Sequence, residues 1–158
     1  MRVVYIDMQN IHKGICKLGW IIDWAKYYRY MKQRYAIDRL VMFIWYVETY
    51  VWLYNYLRDC GYEIVFKETM ILKNQHIKGN VDIDVAIYAV DDRHIGLTNQ
   101  FFLATGDGDY NSLVYYFVRK GAMWKVFTPW SQDTSSLLTK ATGNSIVDLS
   151  NLEHILWK

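Results

Sequence analysis

The stretch FFLATGDGDYNSLVYYFVRKG, residues 101–121, decides the fold because it holds a strand, a turn and a helix in immediate succession. The apolar run over residues 101–105 predicts a buried strand that breaks at Gly106. Residues 110–119 are predicted to form a helix, which ends at Lys120 and Gly121. A strand followed directly by a helix is the repeating unit of parallel α/β proteins.

The same alternation of strands and helices continues on both sides of this unit. Upstream, strands are predicted over residues 3–6, 40–47 and 62–66, and helices over residues 24–35, 48–60 and 81–90. Downstream, strands are predicted over residues 124–127 and 146–149, and helices over residues 133–141 and 152–156. Residues 67–78 are interpreted as a polar connection. The pattern predicts a central parallel sheet with helices on both faces. No repeat or linker divides the chain, so we expect one domain over residues 1–158.

The composition suits one domain with a full hydrophobic core. The chain has 158 residues, of which 53% are hydrophobic. Its net charge of +2 permits nucleic-acid binding without arguing for it. The seven Trp and fourteen Tyr residues suit core packing, stacking on bases, or an aromatic surface through which two copies form a homodimer.

Neither the cysteines nor the apolar segments indicate an extracellular or membrane protein. Cys16 and Cys60 lie far apart and form no zinc-binding motif. Asp7 interrupts the first apolar run, so a signal peptide is not expected. No apolar stretch reaches the roughly 18 residues of a membrane-spanning helix. These features predict a cytoplasmic protein without a membrane partner.

Acidic residues occur where three predicted strands or helices meet their loops. Asp7 follows the first strand, Asp82 begins a helix, and Asp107 and Asp109 follow the fourth strand. Ligands of open parallel sheets bind at the carboxyl ends of the strands, so these loops are expected to bring the carboxylates together. Carboxylate oxygens suit Mg²⁺ or Mn²⁺, and such ions activate water for attack on phosphorus.

Each of these residues also has a purely structural interpretation. Asp7 and Asp109 are both suited to cap a following helix, and Asp82 suits a helix N-terminus. The basic residues near the site are expected either to contact phosphates or to lie in a solvated loop; they are Lys67, Lys73 and Lys78. The pair at residues 91–92 is interpreted as a turn.

In their order along the chain, these motifs resemble the NYN family of PIN-like nucleases, and within it the bacterial LabA-like branch. The matching segments are VYIDMQNIHKG at residues 4–14, KGNVDIDVAIYAV at 78–90, residues 101–121, and SIVDLSNL at 145–152. The resemblance implies a three-layer, Rossmann-like α/β domain with strand order 3-2-1-4-5. It also implies cleavage of RNA that depends on Mg²⁺ or Mn²⁺.

The resemblance also implies roles for individual residues. The family's metal ligands correspond to Asp7, Asp82, Asp107 and Asp109. Asn10 is expected to orient Asp7 or a bound water molecule. Thr105 is expected to hydrogen-bond a neighbouring carboxylate or the substrate. The chain departs from the family at Tyr88, where many relatives have a further aspartate on the helix.

These observations predict a metal-dependent endoribonuclease in which water attacks the phosphodiester. The alternative is a catalytically weak or inactive module that binds RNA or a protein, which Tyr88 and the aromatic surplus favour. A phosphoacceptor receiver domain also gathers aspartates at strand ends. It requires an acidic pair after the first strand and a lysine after the fifth strand. This chain has Asp7 alone after the first strand, and the pattern does not put Lys125 clearly after the fifth strand.

Overall fold

Six parallel strands form the central sheet of the computed structural model, which describes residues 1–67, 70–71, 77–78 and 81–158. In chain order the strands of the molecule are β1 (Arg2–Asp7), β2 (Arg39–Trp45), β3 (Glu63–Lys67), β4 (Met70–Ile71), β5 (Ile77–Lys78), β6 (Gln100–Ala104), β7 (Met123–Thr128) and β8 (Ile146–Asp148). The sheet has the order β3-β2-β1-β6-β7-β8, while β4 and β5 pair with each other in antiparallel fashion. The predicted order of the first five strands of the sheet is confirmed, and β8 extends it.

Helices cover both faces of the sheet. They are α1 (Met8–Lys17), α2 (Trp24–Tyr35), α3 (Val51–Cys60), α4 (Asp82–His94), α5 (Asn111–Arg119), α6 (Ser136–Thr142) and α7 (Glu153–Leu156). Buried side chains of α1, α2, α3 and α7 form one core, and those of α4, α5 and α6 form the other. Successive residues of β1 and β2 contribute to the two cores alternately, as the pleat of a strand requires. The predicted three-layer α/β fold is therefore confirmed.

Helix α1 was given no bounds in the sequence analysis, which noted only that Asp7 is suited to cap a helix after the first strand. Met8, Ile11 and Ile15 are buried on one side of it. Asp7 caps its first turn by accepting a hydrogen bond from the backbone N–H of Asn10. A Cβ atom at Gly14 would lie 2.5 Å from the Pro129 side chain, so glycine lets the segment after β7 approach the helix.

Two further segments differ from the sequence interpretation. Residues 67–78 are not a plain connection, because β4 and β5 lie within them. Asp91 and Asp92 belong to α4 and not to a turn. Asp92 is buried and accepts hydrogen bonds from the Tyr5 hydroxyl at 2.8 Å and from Arg39 at 3.1 Å. Among the residues described, no helix has both the length and the apolar character needed to cross a membrane.

Candidate functional site

The candidate site lies at the carboxyl edge of the sheet, where the order of the strands reverses. β1 has β2 on one side and β6 on the other. The chain builds the half that contains β2 and β3 first, and returns at β6 to build the other half. Loops that leave β1 and β6 therefore diverge and open a crevice, which is where ligands bind in such sheets. Asp7 ends β1, and Thr105 and Asp107 follow β6.

Three carboxylates converge at this edge. One oxygen from each of Asp82, Asp107 and Asp109 lies within 4.8 Å of the other two. Asp82 is the first residue of α4, and Asp107 caps the short 3-10 turn Gly108–Tyr110 that precedes α5. Its side chain accepts a hydrogen bond from the N–H of Asp109 at 3.0 Å, so Asp107 is the capping residue here and Asp109 is not. The positive end of the α4 dipole partly offsets the mutual repulsion of these carboxylates.

Asp7 stands outside this close group but acts on it through its charge. Its side chain is buried and accepts hydrogen bonds from the N–H of Asn10 at 3.1 Å and from the Tyr110 hydroxyl at 3.2 Å. Burial raises the pKa of Asp7 to about 6, these two hydrogen bonds oppose the rise, and the charges of Asp82 and Asp107 add to it. Asp7 thus caps α1, as its structural interpretation predicted. The negative charges of the carboxylate group also raise its pKa.

Asn10 and Thr105 fix the loop that carries Asp107. The Asn10 side-chain oxygen accepts a hydrogen bond from the N–H of Gly106 at 2.7 Å, and only the backbone of Asn10 contacts Asp7. The Thr105 hydroxyl is buried and accepts a hydrogen bond from the N–H of Asp107 at 3.2 Å. Both side chains therefore bind backbone groups in this structure, whereas the sequence interpretation gave them carboxylate, water or substrate partners.

Tyr110 and Gly108 belong to the site although the sequence did not single them out. The Tyr110 hydroxyl donates to Asp7, and burial together with the charges of Asp7 and Asp82 raises the pKa of Tyr110 well above its ordinary value. It consequently remains a donor at any physiological pH. A Cβ atom at Gly108 would collide with the Ser135 side chain. The sequence analysis placed Tyr110 at the start of a predicted helix and gave it no role in the site.

Lys67 and Tyr88 contact residues other than Asp82, Asp107 and Asp109 in the part of the chain that the structure describes. Lys67 forms an ion pair with Asp84 at 2.5 Å, so its charge is already compensated in this state. Tyr88 packs edge-on against Phe43 and lines a shallow hollow together with Lys67 and Asp84. Lys73 and the side chain of Lys78 lie outside the described residues.

The donor set of the carboxylate group fits a hard divalent cation. Asp82 and Asp107 are half-buried and Asp109 is exposed, so the group is open to ions from solvent. All the oxygens it offers are carboxylate oxygens, which Mg²⁺ and Mn²⁺ prefer over nitrogen or sulfur. Three negative charges at this range repel one another, and a bound cation would remove that cost.

The receiver-domain interpretation does not fit this geometry. Such a site needs a lysine at the carboxyl end of the fifth strand of the sheet. Lys125 is the third residue of the six-residue strand β7 and does not reach that end. The segment that follows β7 at the crevice instead begins with Pro129.

Comparisons with known proteins agree with this architecture. The NYN domain model matches residues 2–150. A crystal structure of a protein of unknown function from Vibrio parahaemolyticus RIMD 2210633 is similar, with a TM-score of 0.80 and 17% sequence identity. The similarity covers 98% of this chain and 94% of that chain, and at such low identity it shows the fold alone. No curated protein matches the chain. Because the family model spans nearly all of the sequence, the chain belongs to the NYN domain family, whose members are generally nucleases of the PIN-like superfamily.

Proposed function

We propose that this NYN domain is a metal-dependent endoribonuclease of the LabA-like branch, acting as a single domain. The observation that carries the proposal is the approach of Asp82, Asp107 and Asp109 to within 4.8 Å at the carboxyl edge of the sheet. A divalent cation bound between these carboxylates would compensate their mutual repulsion. The rival function is the non-catalytic module, which Tyr88, packed on Phe43 where many relatives have an aspartate, still favours.

Asp82, Asp107 and Asp109 would hold Mg²⁺ or Mn²⁺, with Asp7 supplying a further negative charge nearby. When bound, the ion would supply the positive charge that activates water and offsets charge on the phosphate oxygens. In the reaction a water oxygen bonds to phosphorus and gives up one proton to the solvent, the bond from phosphorus to a ribose oxygen breaks, and the leaving oxygen takes up a proton from the solvent.

The remaining residues of the site position these groups. Asn10 and Thr105 hold the backbone of residues 106 and 107, and thereby aim the Asp107 carboxylate. Tyr110 restrains one oxygen of Asp7, while the N–H of Asn10 restrains the other. A carboxylate whose rotamer is fixed in this way loses less entropy when it binds a cation.

The test is a cleavage assay on single-stranded and structured RNA with Mn²⁺, with Mg²⁺ and with a chelator. Wild-type protein is expected to cut RNA only with a metal present. Asp107→Asn should lower the rate by at least about 100-fold, since charge stabilisation of a transition state by one group is commonly worth that much. The matched control is Asp59→Asn, an exposed aspartate at the end of α3, which should cut like the wild type.

Two results would contradict the proposal. One is cleavage by Asp107→Asn at the rate of Asp59→Asn. The other is wild-type protein that binds Mn²⁺ in calorimetry but cuts no RNA tested, which would favour the non-catalytic module. A contaminating nuclease is excluded when the Asp107→Asn preparation, purified in the same way, is inactive.

A further inference from the structure

A second cavity opens beside α1, away from the carboxylate group. It has a volume of about 410 Å³ and lies between α1, the segment that leads into α2, and the segment that joins β2 to α3. Its walls are rich in aromatic residues, among them Trp45, Tyr50, Trp52 and Tyr54. A cavity of this size is in the range that encloses a small ligand.

The aromatic side chains at the mouth of this cavity are unusually exposed. Trp52 has 64% of its surface accessible, and Tyr50 has 50%. No ring contact is found for either of them within the described part of the chain. Both follow β2 directly, so they lie toward the carboxyl edge of the sheet, as the carboxylate group does. Exposed indole and phenol rings at a concave mouth are suited to stack on a flat, apolar ligand.

A cation lies against the aromatic wall of the cavity. Lys13 lines the cavity, and its ammonium faces the Trp45 ring. Asp23, an acidic side chain of the lining, accepts hydrogen bonds from the N–H groups of Ala25 and Lys26, where it caps α2. Burial lowers the pKa of His12, so the imidazole is neutral near pH 7. The ligand that fits aromatic walls with a cationic rim is a base attached to a phosphate.

Lys13 connects this cavity with the carboxylate site. It lines the aromatic cavity, and its ammonium lies 5.9 Å from the centre of the Trp45 ring. It also lines a smaller hollow whose wall includes Asn10 and Gly106, the pair that holds the Asp107 loop. Asn10 and Lys13 are separated by one turn of α1, which is about 5 Å along the helix axis. A strand seated in the cavity is thereby led past Lys13 toward the carboxylates.

From this arrangement we infer that the cavity beside α1 is a nucleobase site for the single-stranded RNA that the carboxylate group is proposed to cut. The inference rests on the proposed function for the identity of the strand, but it concerns binding and not cleavage. One unpaired base stacks on Trp52 and Tyr50, and its phosphate contacts Lys13. A base-paired duplex has no free base to insert, so the site selects single-stranded RNA.

The experiment measures binding without cleavage. A fluorescein-labelled single-stranded oligoribonucleotide is titrated with protein in a chelator, and its anisotropy gives the dissociation constant. Trp52→Ala and Tyr50→Ala should each weaken binding by about tenfold, as the loss of one base–aromatic stack does. Lys13→Ala should reduce the slope of log affinity against log salt by about 0.7, as one phosphate contact on a single strand does.

Matched control variants remove exposed aromatic rings elsewhere. Tyr115→Ala on α5 and Trp124→Ala near the start of β7 take away side chains that are 43% and 44% exposed and do not line the cavity. Both should bind the oligoribonucleotide like the wild type. Thermal melting of every variant checks that the fold is kept. As a second measurement, saturation-transfer NMR with a free nucleoside should show binding to the wild type and none to Trp52→Ala.

The outcomes separate this inference from the nuclease proposal. If RNA binding depends on Trp52 but the protein does not cut RNA in Mn²⁺, the base site is supported and the nuclease proposal is rejected. If the protein cuts RNA, and Trp52→Ala and Trp124→Ala bind the oligoribonucleotide with equal affinity, the nuclease proposal is supported and the base site is rejected. If Trp52→Ala instead changes the oligomeric state in sedimentation, with RNA affinity unchanged, the aromatic surface is an interface between copies and the inference is overturned.

Discussion

Asp7 is a buried carboxylate whose charge is unfavourable in the metal-free protein. Its pKa of about 6 in the folded state lies above the ordinary value of 3.8. Between these values the folded protein holds a proton that the unfolded chain has released, so stability falls as the pH rises through this window. Above about pH 6 the full cost of the buried charge remains, and the difference between the two pKa values corresponds to about 3 kcal/mol.

Asp7→Asn is therefore expected to raise the free energy of unfolding near neutral pH by about 1–3 kcal/mol, because amide burial costs less than burial of a charge. The variant should also lose the rise in stability that the wild type shows between about pH 7 and pH 4. Urea unfolding in a chelator measures both effects, with Asp59→Asn as the control. A loss of stability in Asp7→Asn would mean that the cap of α1 outweighs the buried charge.

Tyr88 is the position at which the chain departs from the family pattern, and its substitution shows whether this departure affects metal binding or cleavage. It follows Asp82 by six residues, which is about 9 Å along a helix and roughly 240° around it. Tyr88 therefore faces Phe43 and Lys67 while Asp82 faces the other aspartates. Tyr88→Asp should leave Mn²⁺ affinity and RNA cleavage within about threefold of the wild type, a change of less than about 1 kcal/mol. A gain of activity would show that the helix rotates when metal or RNA binds.

At the residue scale, the acidic residues of the site could be predicted from the sequence, but the hydrogen bonds that position them could not. Asp82, Asp107 and Asp109 could be predicted to meet, because each lies at a strand end or helix start in a parallel fold. The hydrogen-bond partners of Asn10 and Thr105 could not be predicted, because the path of the loop after β6 decides which backbone N–H groups come near these side chains. Asp84 of α4 illustrates the same limit, since its partner Lys67 comes from strand β3.

At the scale of elements, α1 and the loop after β6 act as one unit. The hydrogen bond from the N–H of Gly106 to Asn10 joins them at 2.7 Å, and Ser135 donates its N–H to the carbonyl of Gly106 at 3.2 Å. The loop that carries Asp107 is thus held from α1 and from the start of α6. Its position depends on two elements that bear no acidic ligand themselves.

Asn10→Ala should loosen this unit and weaken Mn²⁺ binding by about 10-fold to 100-fold, the usual effect of removing a support behind a metal ligand. The fold should remain, because Asp7 still caps α1 through a backbone group. Calorimetry with Mn²⁺ gives the affinity, and Asn55→Ala, exposed on α3, is the control. Equal Mn²⁺ affinity in Asn10→Ala and Asn55→Ala would show that the loop is rigid without this hydrogen bond.

Element prediction succeeded where apolar residues are continuous and failed where they are interrupted. β2 and β6 are nearly continuous apolar runs, and the structure has both within two residues of the predicted bounds. α1 carries Gly14 and polar residues between its three buried positions, which obscured its period. The ribbon of β4 and β5 has two residues in each strand, too few for a pattern of period two to show.

At the scale of the whole molecule, the two ends of α4 have different roles. Its first residue belongs to the carboxylate group, and a buried ion pair near its other end stabilises the fold. Asp92, near the end of the helix, pairs with Arg39 of β2 and accepts a hydrogen bond from Tyr5 of β1. Arg39 also binds Glu63 of β3 at 2.7 Å, so this network ties α4 to three strands. Ten residues separate Asp92 from Asp82, which is about 15 Å of helix.

Asp92→Asn should lower the free energy of unfolding by about 2–4 kcal/mol, because breaking a buried ion pair leaves a charge without its partner. Glu63 keeps part of the compensation for Arg39, so the loss should stay below that of a fully isolated charge. Mn²⁺ affinity of the folded protein should not change. Urea unfolding measures the loss of stability, and calorimetry measures the Mn²⁺ affinity. A large loss of Mn²⁺ affinity would mean that the two ends of α4 are coupled.

The hydrogen bond between Asn10 and Gly106 joins residues that are 96 positions apart. During synthesis β1 lacks its second neighbour in the sheet until β6 has been made. Pairing over such separations is slow, because the chain entropy is lost before the contact is gained. A nascent chain therefore carries Asp7 before the other half of the crevice exists. For a domain proposed to cut RNA, the order of its strands means that the carboxylates of the site cannot meet until the segment with Asp107 and Asp109 has been synthesised.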